Sequence, residues 1–131
     1  MVTDGRKQPG IDETAKKHLD FIMANSDYFQ NREGIEDFTD IEIVRIAVAL
    51  AVKQPLKLLP PPKAVGSNVN GSNWNRDTWE TEPSITEMVK FLVPESEREE
   101  LWTYIEQAAA TGLKHMAACV KKGQDISEIL E

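Results

Sequence analysis

The segment from residue 41 to residue 53 is the feature that most restricts how this chain can fold. It reads Ile-Glu-Ile-Val-Arg-Ile-Ala-Val-Ala-Leu-Ala-Val-Lys, and ten of its thirteen residues are apolar. A segment this apolar has to be covered on most of its sides, because apolar surface left in water costs free energy. We therefore expect it to lie at the centre of the hydrophobic core.

Helix and strand compete for this segment, because it is rich in β-branched residues, which favour strands. Thirteen residues is long for a strand, however, and Thr39 with Glu42 forms a capping-box pattern that is typical of a helix start. The following polar and small residues recur at helical spacing: Glu42, Arg45, Ala49 and Lys53. The sequence therefore predicts a core helix that ends before Pro55.

Three further helices are predicted. Apolar residues at intervals of three and four predict one from about residue 12 to residue 25. A second capping box starts at Ser84, and the short helix that follows it is stopped by Pro94. A third box opens the longest helix, about 97 to 122, for which Gly123 is a natural C-terminal cap.

Residues 54 to 83 form a long connection without a convincing helix. It contains three consecutive prolines and several asparagines, and Asn70–Gly71 is a type I′ turn signal that could form a small hairpin. Residues 1–10 are typical of a flexible tail, which leaves 11–131 as a single helical domain. The expected fold class is therefore mainly α: a compact helical domain of four to five helices with a long Pro/Asn-rich central loop.

The chain has the features of a cytoplasmic protein. Its N-terminus lacks an apolar signal region, and its single cysteine, Cys119, cannot form an internal disulfide. The longest apolar stretch, Ile43 to Val52, is far shorter than the roughly 20 residues that a membrane-spanning helix needs. We expect a cytoplasmic protein that does not contact a membrane.

Charge is distributed unevenly along the sequence. The net charge of −7 argues against a general binder of polyanions. The window from Ile43 to Arg76 nevertheless contains no Asp or Glu, and its basic residues could face phosphates while an amide and an indole assist them. The candidate nucleic-acid or anion-binding residues are Arg45, Lys53, Lys57, Lys63, Asn73, Trp74 and Arg76.

A simpler interpretation of this window also fits the sequence. A buried helix and a proline-rich arm can contain few acids by chance, in which case the lysines are merely solvated. Trp74 and Trp79 would then cover the core instead of contacting a ligand.

Catalytic patterns do not emerge from the sequence. His18 and His115 fall on different predicted helices, and His115 with Cys119 supplies only two candidate metal ligands. The chain also lacks the GxSxG, Walker and GxGxxG patterns. We predict no catalytic residue, no metal site, no cofactor and no enzymatic activity.

Small side chains in the middle of the last helix, Ala108 to Gly112, would allow another helix to approach closely. That helix could be the core helix of the same chain, or it could belong to a second copy. The sequence leaves both arrangements open and favours the first.

Parts of the chain resemble the DndE family and the small proteins associated with Dnd phosphorothioation islands. The resemblance lies in the segment from Phe38 to Lys53, the loop Asn73-Trp-Asn-Arg76 and the late Gly112-Leu113-Lys114 helix. It implies a compact helical protein of a bacterial DNA sulfur-modification or phage-defence system. Self-association and contact with the DNA backbone would be consistent with that family.

Two functions follow from these patterns. The first is a non-catalytic helical accessory protein of a DNA-modification or phage-defence system that contacts nucleic-acid phosphates through the basic surface of residues 45–76. The alternative is a structural or scaffold subunit that acts only through protein–protein contacts. Both predict a protein partner or self-association, and only the first predicts a nucleic-acid partner.

Overall fold

Helices dominate the described part of the chain, which confirms the predicted fold class. The computed structural model describes residues 10–25, 40–54, 56–59, 72–74, 76–80, 84–93 and 101–124. Within these ranges there are five helices: α1 (Glu13–Asn25), α2 (Asp40–Lys53), α3 (Arg76–Trp79), α4 (Ile85–Leu92) and α5 (Leu101–Lys121). None of these helices is both long enough and apolar enough to cross a membrane.

The core is built around α2 and α5. Helix α2 makes its most extensive contacts with α5, and α1 packs on α5 as well. The residues of α2 that the sequence places in the core are buried: Ile43, Val44, Ala47, Val48, Leu50 and Ala51. The segment from residue 41 to residue 53 is therefore a central helix, as its composition and its length predict.

The small residues of α5 face α2 of the same chain. A Cβ atom added at Gly112 would lie only 2.0 Å from the backbone oxygen of Ala47. The backbones of the two helices therefore approach so closely at this crossing that only glycine fits on α5. Of the two arrangements that the sequence leaves open, intramolecular packing is the one that the structure contains.

Two of the predicted helix caps are present. The Ser84 side chain accepts a hydrogen bond from the Glu87 amide at the start of α4, with a distance of 3.3 Å. Gly123 has a φ of +82°, and the amides of Gly123 and Gln124 donate to the carbonyls of Val120 and Cys119. This Schellman pattern ends α5. The capping boxes at Thr39 and before residue 97 rest on residues outside the described ranges.

Short elements appear where the sequence predicts none. Helix α3 lies inside the stretch from 54 to 83, and the two-residue strands β1 (Gly10–Ile11) and β2 (Ser72–Asn73) pair in antiparallel fashion. The hairpin expected at Asn70–Gly71 lies outside the described residues. The strand pair that does occur joins two distant parts of the chain.

Gly10 is part of the fold, although the sequence assigns it to a flexible tail. Gly10 is buried, and its amide donates a 2.8 Å hydrogen bond to Oε2 of Glu106. Glu106 is itself only 2 % exposed. The backbone amide of Gly10 thus partners one oxygen of a buried carboxylate on α5.

The chain leaving α2 is fastened to α5. The Leu59 amide donates to Oγ1 of Thr111 at 2.9 Å, and Nε2 of Gln107 donates to the Leu59 carbonyl at 3.0 Å. These two bonds hold the extended segment 56–59 against the middle of α5. They also fix the backbone on which Lys57 is carried.

Candidate nucleic-acid interface

Two of the seven predicted site residues are cations on the surface. Lys53 is the last residue of α2, and Lys57 lies in the segment that Leu59 fastens to α5. Both lysines are exposed. Within the described ranges neither of them forms an ion pair with a carboxylate. No carboxylate of the described ranges therefore competes with an anion for these two charges.

The lysine positions follow from local structure. Lys53 lies in the last turn of α2, where a cation interacts favourably with the negative end of the helix dipole. Four residues later, Lys57 extends from non-helical backbone. We call these two residues the lysine end of α2.

Arg45 interacts electrostatically with a partly buried carboxylate. It is half-buried on α2, and its positive charge acts on Glu80. The Glu80 carboxylate accepts hydrogen bonds from Oγ of Ser84 at 2.6 Å, from Oγ1 of Thr86 at 2.7 Å and from the Thr86 amide at 3.0 Å. The charge of Arg45 thus links α2 electrostatically to the polar cluster at the start of α4.

The pKa of Glu80 reports on the same cluster. Burial by itself would raise this pKa, but the hydrogen bonds from Ser84 and Thr86 oppose burial and favour the ionised form. The charge of Arg45 acts in the same direction, so the pKa of Glu80 is lowered overall. An acid from outside the acid-free window therefore offsets part of the charge within it.

Arg76 packs on an aromatic ring. Its guanidinium carbon lies 5.4 Å from the centre of the Trp102 ring, a distance typical of a cation–π contact. The side chain is half-buried at the start of α3. Arg76 therefore helps to attach α3 to α5.

Trp74 is part of an aromatic cluster with two other tryptophans. The centre of its ring lies 5.6 Å from that of Trp79 in an edge-to-face arrangement, and Trp79 lies 6.1 Å from Trp102. Trp79 is fully buried, whereas Trp74 is half-buried. Trp79 is therefore part of the core and Trp74 packs against it, whereas the simpler interpretation of the sequence has both tryptophans covering the core.

The other two predicted residues are described only in part or not at all. The backbone of Asn73 pairs with Gly10 across the β1–β2 ladder, while its side chain lies outside the described part of the structure. Lys63 lies in a range that is not described. The basic window therefore divides into an outward pair, Lys53 and Lys57, and an inward pair, Arg45 and Arg76.

Sequence reasoning did not include Glu80 or Trp102 in this region. Both residues lie outside the acid-free window and meet it only through tertiary contacts. The Ser84 cap was a local signal that a polar cluster could form nearby, but it did not indicate which carboxylate would take part.

The two histidines lie on different helices, as predicted. Nε2 of His115 and Sγ of Cys119 are 3.8 Å apart on α5, and His18 lies on α1. Within the described ranges no group of three or more His, Cys, Asp or Glu residues could hold a metal ion. The described geometry therefore offers no candidate set of metal ligands.

The chain was compared with family models, curated proteins and solved structures. No family model, no curated protein and no solved structure matches the chain significantly.

Proposed function

We propose that this chain is a non-catalytic helical accessory module that binds the phosphate backbone of a nucleic acid through the lysine end of α2. One observation carries the proposal: Lys53 and Lys57 are both exposed and form no ion pair within the described ranges. They also belong to a 34-residue window, 43–76, that contains no acid. A phosphate can therefore approach them without meeting a carboxylate from the same window.

The physical character of such binding follows from its small number of cations. Contacts to phosphates release counterions, and the logarithm of the affinity falls by about 0.9 per contact for each tenfold increase in salt concentration. Two lysine contacts would give a slope of about −1.8. The net charge of −7 opposes association elsewhere on the surface. We therefore expect weak, salt-sensitive binding with little preference for base sequence.

The proposed biological setting is a bacterial DNA-modification or phage-defence system. The support for it is the resemblance of residues 38–53, the Asn73–Arg76 segment and the Gly112–Lys114 segment to the DndE family. In such a system a module without catalytic residues would position DNA or a partner enzyme. Genes for DNA sulfur modification beside the gene for this chain would support the setting.

Charge reversal at the lysine end of α2 tests the nucleic-acid proposal. The double variant Lys53→Glu plus Lys57→Glu is expected to bind duplex DNA about tenfold more weakly than the wild type in 50 mM salt. Fluorescence anisotropy with a labelled duplex and a labelled single strand, repeated at several salt concentrations, measures both the affinity and the slope.

A matched control separates a local effect from net charge. Lys17→Glu plus Lys90→Glu changes the net charge by the same amount at two exposed positions outside the window. The control is expected to lose much less affinity than the test variant. Equal losses in both variants, or a wild-type protein that binds neither strand form at low salt, would rule out the lysine end as a nucleic-acid site.

The scaffold function is a second candidate, and α4 carries a specific observation in its favour. Phe91 is 88 % exposed and Leu92 is 48 % exposed, although both are large apolar residues. Glu87 and Lys90 are also exposed on the same short helix and carry opposite charges. Two antiparallel copies of α4 could therefore pair Glu87 of one copy with Lys90 of the other around the phenylalanines. We propose a second copy of this chain as the occupant.

Removing the exposed aromatic ring tests self-association. Sedimentation equilibrium is expected to show a concentration-dependent dimer for the wild type and at least a tenfold weaker dimer for Phe91→Ser. The double variant Glu87→Lys plus Lys90→Glu preserves the charge complementarity and should still dimerise. A wild-type monomer at the highest attainable concentration would exclude this candidate.

A further inference from the structure

Helices α1 and α5 lie side by side and run in the same direction. Near the start of both, the Gly10 amide donates to Glu106; near their ends, Nζ of Lys121 lies 5.2 Å from the centre of the Phe21 ring. Contacts at both ends place the last two turns of α1 beside the second half of α5. We call the surface between them the α1–α5 seam.

The α5 side of the seam presents two lysines with an alanine between them. Lys114, Ala118 and Lys121 are spaced i, i+4 and i+7, so they share one face of the helix, and all three are exposed. The backbones of Lys114 and Lys121 are about 10.5 Å apart along the helix axis. Their long side chains can therefore reach toward each other over Ala118. Ala118 is small and leaves the space between them open.

Helix α1 adds a histidine next to these lysines. His18 is half-buried, and within the described ranges its ring forms no hydrogen bond. Burial lowers its pKa most, and the positive charges of Lys121 and Lys114 lower it further, while Asp12 alone acts in the opposite direction. His18 lies one turn before Phe21 on α1, so it shares the face of α1 that contacts Lys121. A neutral imidazole ring offers one hydrogen-bond donor and one acceptor.

Little in the described structure neutralises this cluster. Lys114 and Lys121 form no ion pair within the described ranges, and the Asp12 carboxylate accepts a hydrogen bond from the Ala15 amide at the start of α1. The Phe21 ring restrains the Lys121 ammonium on the side of α1. Two lysines without an ion pair among the described residues and one imidazole thus lie on a single surface of an acidic protein.

We infer that the α1–α5 seam is a binding site for a single oxyanion of the phosphate class, in which Lys114 and Lys121 supply charge and His18 supplies a hydrogen bond. Ammonium groups bind phosphate as point charges, and an imidazole N–H is a suitable donor to a phosphate oxygen. The inference is independent of the nucleic-acid proposal, because it uses none of the residues at the lysine end of α2. The ligand is either free inorganic phosphate or the phosphate group of a small ester.

Nuclear magnetic resonance of the His18 ring in the full chain tests the inference directly. The probes are inorganic phosphate and glycerol phosphate at pH 7.5, each compared with sodium chloride at the same ionic strength. We expect saturable shifts of the His18 signals with at least one phosphate probe, and a higher pKa for His18 in its presence, because a bound anion favours the imidazolium. Tighter binding of glycerol phosphate would identify an ester as the ligand, and tighter binding of inorganic phosphate would identify the free ion.

Lysine variants show whether the named residues form the site. Lys114→Gln plus Lys121→Gln is expected to weaken phosphate binding at least tenfold, whereas Lys17→Gln, at an exposed position on α1 where the lysine pairs with Glu13, should leave it unchanged. The substituted lysines are exposed, so the fold should persist, which far-ultraviolet circular dichroism can verify. Shifts that follow ionic strength alone, or undiminished phosphate binding in the double variant, would overturn the inference.

Discussion

Replacing Gly112 by alanine is expected to lower the free energy of unfolding by about 3 kcal/mol, although alanine is the better helix former. The added Cβ would lie 2.0 Å from the carbonyl oxygen, 2.6 Å from the carbonyl carbon and 2.8 Å from the Cα of Ala47. All three are backbone atoms, so no side-chain rotation can relieve the overlap. Helices α2 and α5 would have to move apart, which would loosen the most extensive helix–helix contact in the described structure.

Helix propensity acts in the opposite direction and therefore makes the sign of the effect informative. At an exposed position in the middle of a helix, glycine to alanine stabilises by about 1 kcal/mol. A destabilising effect at Gly112 has to come from the crossing with α2. Urea denaturation followed by circular dichroism at 222 nm measures the free energy of unfolding, and its midpoint should fall without a large change in slope.

Two companion variants isolate the cause. Ala118→Gly, at an exposed position two turns nearer the end of α5, should cost about 1 kcal/mol through propensity alone. Adding Ala47→Gly to Gly112→Ala should not restore stability, because the clash involves the Ala47 backbone and not its methyl group. A Gly112→Ala protein as stable as the wild type would show that the two helices do not cross as closely as described.

This crossing shows how far the sequence can predict the fold. Composition and spacing identify α2 as the central helix, and the small residues from Ala108 to Gly112 indicate that another helix approaches α5 closely. They cannot identify which helix approaches, since that depends on the complete packing of the chain. Capping signals are local, and those at Ser84 and Gly123 are therefore confirmed at the predicted positions.

Elements held by distant contacts are not predicted. Helix α3 has only four residues, too few to be stable alone, and the strands β1 and β2 have two residues each. Neither produces the periodicity on which a sequence-based prediction depends. Their stability comes from tertiary partners, such as Trp102 for α3, that are far away in the sequence.

In the candidate site too, the sequence predicts local features and does not predict tertiary contacts. A run without acids marks where basic residues recur along the sequence, but it says nothing of which of them reach solvent. Lys53 and Lys57 are exposed, whereas Arg45 interacts electrostatically with Glu80 and Arg76 packs on Trp102. Arginine favours such partly buried pairs, because its planar guanidinium is weakly hydrated and stacks on aromatic rings. The seam cluster shows the converse, because its two lysines are seven residues apart on α5 and its histidine comes from α1, so its members form no run in the sequence.

Replacing Trp79 by alanine is expected to cost about 4 kcal/mol of unfolding free energy. Its side chain is completely buried and touches an aromatic ring on each side, Trp74 and Trp102. Deleting it removes the anchor of α3 and leaves a cavity between two rings whose edges can close over it only in part. Arg76, on the same short helix, would lose part of the support that positions it over Trp102.

Variants at neighbouring positions make this expectation specific. Trp74→Ala should cost about half as much unfolding free energy, because that side chain is already partly exposed to solvent. Trp79→Phe retains an aromatic ring, so its free energy of unfolding should lie between those of Trp79→Ala and the wild type. Urea denaturation followed by circular dichroism at 222 nm measures these free energies. This signal does not depend on tryptophan fluorescence, which the substitutions reduce. If Trp79→Ala cost no more than Trp74→Ala, the cluster would be a cover on the protein surface, and α3 would be held to α5 by contacts other than its buried indole.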